Sequence, residues 1–316
     1  MYKKITMRFN VSVTDNSIIS LVDTQNNCTA VIYSFGALLN EFSINKNGEQ
    51  INIIDGFTSG EDAKTHVTKG FQSSKLSPFV CRMNNGEYVF NNQSYKIEKF
   101  YLPPHAIHGL LFDANFEIIS THANEHSASV GLRYLYQATD KGYPFNFEML
   151  VNWKLEANNN LSVITTVFHH NKQAIPMADG WHPYFTLNNS IDDCTLQFDS
   201  TEQIEFDETL IPTGKKIKDE RFINSSSLKG IELDNCFELA NPGNSNCILK
   251  TKDLQLTIQP SAAYTYLQIY TPPHRKSIAI ENLSAAPDCF NNKIGLLLLE
   301  PEKQVSFKTT YSIKVL

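Results

Sequence analysis

Phe145-Asn146-Phe147-Glu148-Met149-Leu150-Val151-Asn152-Trp153-Lys154-Leu155 alternates large apolar and polar residues. Phe145, Phe147, Met149, Val151, Trp153 and Leu155 take one face, with Leu150 the one apolar residue on the other. A period of two over eleven residues is the mark of a β-strand with one dry and one wet face. Val130, Leu132, Tyr134 and Tyr136 repeat the pattern just upstream. Val305, Phe307, Tyr311, Ile313 and Val315 repeat it at the C-terminal end. Further strands are expected at 28–33, 50–54, 95–99, 115–121, 161–169, 194–198, 236–239, 246–250, 253–258, 264–270 and 277–281. Turn-forming clusters such as Asn45-Lys46-Asn47-Gly48, Asn84-Asn85-Gly86 and Asn158-Asn159-Asn160 separate many of them. Residues 60–69 alone lean toward a helix, with thin apolar content.

Many short strands with few helices describe an all-β chain, a sandwich or a barrel. No linker, repeat or low-complexity run divides the 316 residues, so a single large antiparallel β-sandwich domain spanning 1–316 is expected. A hydrophobic content of 41% supports a sizeable core. The formal charge of −6 disfavours a nucleic-acid partner. No apolar run approaches the roughly 18–20 residues that cross a bilayer. Met1 to Asn10 carries charge but no apolar segment of the signal-peptide kind. Cys28, Cys81, Cys194, Cys236, Cys247 and Cys289 form no CxxC pair and read as reduced, mostly buried thiols, which suits a cytoplasmic protein. No feature sets an oligomeric state.

Gly180-Trp181-His182-Pro183-Tyr184-Phe185 carries the densest chemistry. Pro183 biases His182 toward extended backbone. An imidazole among aromatic rings suits a pocket where ring faces meet sugar C–H faces and polar groups meet hydroxyls. Taken alone, the same segment also describes a buried histidine with a structural hydrogen bond. His105 and His108 are three apart between prolines and a glycine, and His169 and His170 are adjacent. Neither spacing aims both rings at one point on a strand, so no metal site is expected. No GxSxG elbow or phosphate-binding glycine loop is present. Glu281 shares a strand face with Ala279, and spacing by itself favours a solvated outer face. Arg82 can be a surface cation, Asp234 a turn residue and His108 a strand-end imidazole bonded to backbone.

In order along the chain, several segments resemble the aldose 1-epimerase (galactose mutarotase-like) family. They are Phe35-Gly36-Ala37, Pro78-Phe79 with Arg82, His108-Gly109, Gly180 to Phe185, Asp234-Asn235-Cys236-Phe237, and Glu281 with Ala286 to Asn291. Gly109-Leu110 replaces a frequent double glycine, Cys81 stands where an asparagine often precedes the arginine, and Asn282 follows the glutamate. The resemblance implies a supersandwich with the active site in a concave groove. It implies interconversion of the α and β anomers of a free monosaccharide without a cofactor. It assigns Glu281 as base at the C1 hydroxyl and His182 as acid at the ring oxygen. Ordinary pKa values near roughly 4.3 and 6.5 would start that pair ionised in opposite senses. His108, Arg82 and Asp234 would hold the sugar, with Gln268 and Trp181 as candidates for the wall. Two alternatives share the fold: a hexose-6-phosphate mutarotase, with Arg82, His274, Arg275 and Lys276 as phosphate partners, and a carbohydrate-binding sandwich without catalysis. A carbohydrate lyase would want a different acid–base set.

Overall fold

The computed structural model describes residues 7–316; Met1 to Thr6 of the N-terminal stretch discussed above lie outside the described residues. Two large antiparallel sheets face each other. One has nine strands and is built around Ser127–Tyr136, Phe147–Glu156, Asn160–Phe168 and Gln304–Val315. The other has eight, with Asp234–Glu238, Tyr266–Tyr270, Ile278–Leu283, Gly180–His182 and Ser74–Leu76 in that spatial order at one end. A five-stranded antiparallel sheet between Phe9 and Asn52 adds to the fold.

The alternating stretch that identified the fold behaves as its pattern demands. Phe147, Met149, Val151, Trp153 and Leu155 are buried, while Leu150 is exposed. Trp153 meets Trp181 of the eight-stranded sheet edge-on at 5.6 Å between ring centroids, and Tyr311 meets Phe185 at 5.7 Å. These contacts form the interior between the sheets. A buried Lys75–Asp179 pair at 2.6 Å lies there too, with Lys75 Nζ 4.3 Å from the Trp181 ring centroid. All six cysteines are free and buried, as expected from their scatter.

The 60–69 stretch is helical over Gly60–Gly70. Ser59 caps it by accepting from the Asp62 amide, and Glu61 and Asp62 sit in the first turn, where the helix dipole favours acids. Only Ala63 and Val67 are buried on it, which explains its thin apolar signal. Phe71 ends the helix in the left-handed conformation (φ 55°), and its amide donates to Val67 O.

Several strands escape the period-two reading. Pro212–Lys218 is an edge strand bearing three lysines, and its residues are almost all exposed. Such an edge shows no apolar face because charge guards it against pairing with other chains. Phe9–Thr14, at the edge of the five-stranded sheet, buries only Phe9 fully. Among the described residues, no helix is long and apolar enough to cross a membrane.

Candidate active site

Because side chains alternate along a strand, each strand of the eight-stranded sheet aims one set at the nine-stranded sheet and the next set away from it. Trp181 points inward, and His182 points outward. Asn282 points inward, where its Nδ2 donates to Thr309 Oγ1 at 3.1 Å, and Glu281 points outward. On the outward side a cavity of about 240 Å³ is lined by Arg82, His108, His182, Asp234, Gln268 and Glu281, together with Cys81, Phe71, Tyr184 and Tyr270. That volume lies just below the roughly 300–1,000 Å³ of drug-sized clefts and suits one sugar ring.

Strand register sets the floor of the cavity. Gln268 stands opposite Glu281 on one side and Cys236 on the other, and Asp234 stands opposite Tyr270. Gln268 Nε2 donates to Asp234 Oδ1 at 2.7 Å, which orients both groups. Asp234 therefore begins a strand rather than occupying a turn. Glu281 is 2% exposed, so it is not the solvated residue that its spacing favoured. The reason is that Ile278–Leu283 is covered on both sides, by the core within and by the pocket walls without.

A second group of elements closes over that floor. The strand Arg82–Met83 pairs with His105–Ile107, placing Arg82 opposite Ile107. Cys81 (φ 47°) and His108 (φ 62°) both take left-handed backbone, and the His108 amide donates to Cys81 O at 2.9 Å. Non-glycine residues in that region are uncommon and cluster at functional sites. Pro287 and the segment after it clasp the same strand, with the Asp288 amide donating to Arg82 O. Phe71, delivered by the helix end, packs on the His108 ring at 4.6 Å, and His108 meets the His182 ring at 4.8 Å.

His182 Nε2 lies 3.3 Å from Glu281 Oε1, with both side chains almost wholly buried. Burial raises Glu281 well above the ordinary carboxylate range, and the nearby negative charge of Asp234 adds to it; a Cys81 contact and Arg82 oppose the shift. Burial also pushes His182 down to about 4, and pushes His108 well below its ordinary value. Both shifts run against the expected start with an ionised glutamate and a protonated histidine. Desolvation disfavours both charges, raising the carboxyl and lowering the imidazole.

Of the residues expected to hold the sugar, Trp181 alone lies outside the pocket: it is 2% exposed in the interior against Trp153 and Lys75. Tyr184 lines the cavity instead. The period-two rule carried that signal, since residues 182 and 184 share a face and 181 takes the other. Of the four cations considered for a phosphate, only Arg82 lines the cavity, joined by Lys69 from the helix. His274 and Lys276 border a separate cleft with Asp55 and Thr186, and Arg275 is held by Asp192. His105 accepts from the Asn85 amide at 3.1 Å, which is a structural role. Cys81 is a lining residue that sequence reading missed. Its donors come from spatial company: Cys81, His108 and Glu281 place ligand-type atoms within 4.8 Å of one another.

Residues 18–312 match the family model described as aldose 1-epimerase. YihR, an uncharacterised protein of Escherichia coli K12, is 30% identical over 235 residues, which cover 72% of this chain and 74% of that one. An aldose 1-epimerase of Streptococcus thermophilus is 26% identical over 211 residues, covering 64% of this chain and 59% of that one. A galactose mutarotase-like protein of Clostridium acetobutylicum shares the fold with a TM-score of 0.84 at 16% identity, over 98% of this chain and 99% of that one.

Proposed function

The chain belongs to the aldose 1-epimerase family, and from that premise we propose that it interconverts the α and β anomers of a free aldose by acid–base ring opening and closure. The observation that carries the reading is the buried His182–Glu281 pair, 3.3 Å apart on the floor of a sugar-sized cavity.

Ring opening needs one group to take the proton of the C1 hydroxyl and another to give a proton to the ring oxygen. The bond from C1 to the ring oxygen breaks as C1 becomes a carbonyl carbon. Rotation about C1–C2 turns the other carbonyl face to the hydroxyl, and the reverse transfers close the ring. The pair needs one proton in total. Glu281 acts as base at C1 once its proton has crossed to His182, which then serves as acid at the ring oxygen. General acid–base help of this kind is worth roughly 10² to 10⁴ per group. Asp234, steadied by Gln268, and Arg82 and His108 hold hydroxyls so that only C1 moves. Tyr184 and Tyr270 supply aromatic wall.

Polarimetry of freshly dissolved α-glucose and α-galactose tests this. Glu281→Gln should keep the fold and lose about 10²-fold or more of kcat/KM. His182→Asn should lower kcat far more than it weakens sugar binding. Full activity in Glu281→Gln removes the base assignment. Sugar binding by the unaltered chain with no rate above buffer makes it a carbohydrate-binding sandwich instead.

A further inference from the structure

Cys81, His108 and Glu281 come from three separate strand or loop segments and are all buried. The Cys81 thiol lies 3.9 Å from Glu281 Oε2, and ligand-type atoms of all three fall within 4.8 Å of one another. Zinc bonds of about 2.3 Å to sulfur and about 2.0–2.2 Å to nitrogen and oxygen place tetrahedral donors roughly 3.3–3.7 Å apart. The His108 amide donates to the Cys81 carbonyl, so the backbones that carry two of the donors are held side by side. His108 Nδ1 is buried and has no hydrogen-bond partner among the described residues.

We propose that Cys81, His108 and Glu281 form a three-donor site for a borderline or soft divalent cation, Zn²⁺ foremost, inside the same cavity as the sugar. One thiolate, one imidazole and one carboxylate match Zn²⁺ or Co²⁺ better than Mg²⁺ or Ca²⁺, which want oxygen shells. Three protein ligands leave a fourth position for water. On binding, the Cys81 S–H bond and the Glu281 O–H bond break, both protons leave to solvent, and the sulfur and carboxylate oxygen electron pairs form the bonds to the metal. Thiolate and carboxylate then balance the two positive charges, while Arg82 in the same cavity opposes them. Glu281 is occupied as a ligand, so the cation inhibits and excludes the sugar. That last consequence rests on the function proposed above; the site itself does not.

The test uses the full chain, stripped with EDTA and titrated with Co²⁺. One equivalent should give a thiolate-to-cobalt charge-transfer band with the visible bands of four-coordinate cobalt, displaced by Zn²⁺. Cys81→Ser should lose the charge-transfer band, and His108→Ala should weaken binding by more than about 100-fold. Cys247→Ala, remote from the cavity, should retain both. Absence of the band in the unaltered chain, or its survival in Cys81→Ser, overturns the site. Should Cys81→Ser fail to fold by circular dichroism, loss of the d–d bands in a folded His108→Ala decides the question, and their persistence overturns it. An aldose that the metal-free chain turns over should suppress the band. If the band persists at a saturating concentration of that aldose, the proposed exclusion fails. If no aldose is turned over, the proposed function fails, whatever the cobalt spectrum shows.

Discussion

His182 and Glu281 show how burial sets chemistry at the scale of single residues. Water would leave the carboxyl ionised and the imidazole partly protonated near neutrality. In the cavity the carboxyl is raised and His182 is lowered to about 4, so between those two limits the pair holds one proton. Activity is expected to fall on the acid side as the pair gains a second proton, when pH drops through about 4. It should fall on the alkaline side when the pair loses its only proton, above the ordinary carboxylate range. The acid limb of the kcat/KM profile should therefore be centred near about 4; one centred near roughly 6.5 would mean an unperturbed histidine. The neighbouring Trp181 gives the converse case. Trp181→Phe should cost about 1–3 kcal/mol of stability in denaturant unfolding with KM unchanged within about twofold. A tenfold rise in KM at unchanged stability would return Trp181 to the pocket.

At the scale of elements, the site depends on where strands meet turns. Gly109 has φ +74°, and a Cβ there would stand 2.4 Å from Ser77 O. The contact is between backbones: Ser77 and Gly109 form a parallel bridge, and the Leu110 amide donates to Ser77 O. Since backbone cannot swing aside, Gly109→Ala should destabilise by about 2 kcal/mol or more, seen as a lowered Tm. It should also lower kcat, because His108 is the preceding residue. Unchanged Tm and kcat would show that this bridge positions nothing. The helix Gly60–Gly70 is used at its C-terminal end, where Phe71 reaches His108. Its sequence shows only a faint amphipathic stripe, because two buried residues are all that dock it.

Across the whole molecule, the strand carrying His182 is held from the interior side. Lys75 Nζ donates to Asp179 Oδ1 at 2.6 Å and to Gly180 O at 3.1 Å, and Tyr264 donates to the same carboxylate. Burial pushes Lys75 down to about 8 against the pull of Asp179, a measure of how dry the space between the sheets is. Lys75→Met should lose about 3–5 kcal/mol in denaturant unfolding by leaving Asp179 unpaired, and Lys75→Met with Asp179→Asn should recover much of it. Equal losses in the single and double variants would mean that the pair contributes only by packing. The sequence by itself determined the class of fold, because alternation such as that of 145–155 is a one-dimensional record of a dry and a wet face. The ordered motifs likewise marked Arg82, His108, His182, Asp234, Gln268 and Glu281, and all six line one cavity. Alternation could not tell which face of a strand covered on both sides is the pocket, so Glu281 read as solvated and Trp181 as wall. Nor could it tell that Cys81 stands beside a glutamate 200 positions away. Those points were decided by tertiary structure, because desolvation and donor clustering depend on which strands lie side by side, and spacing along one strand does not record that.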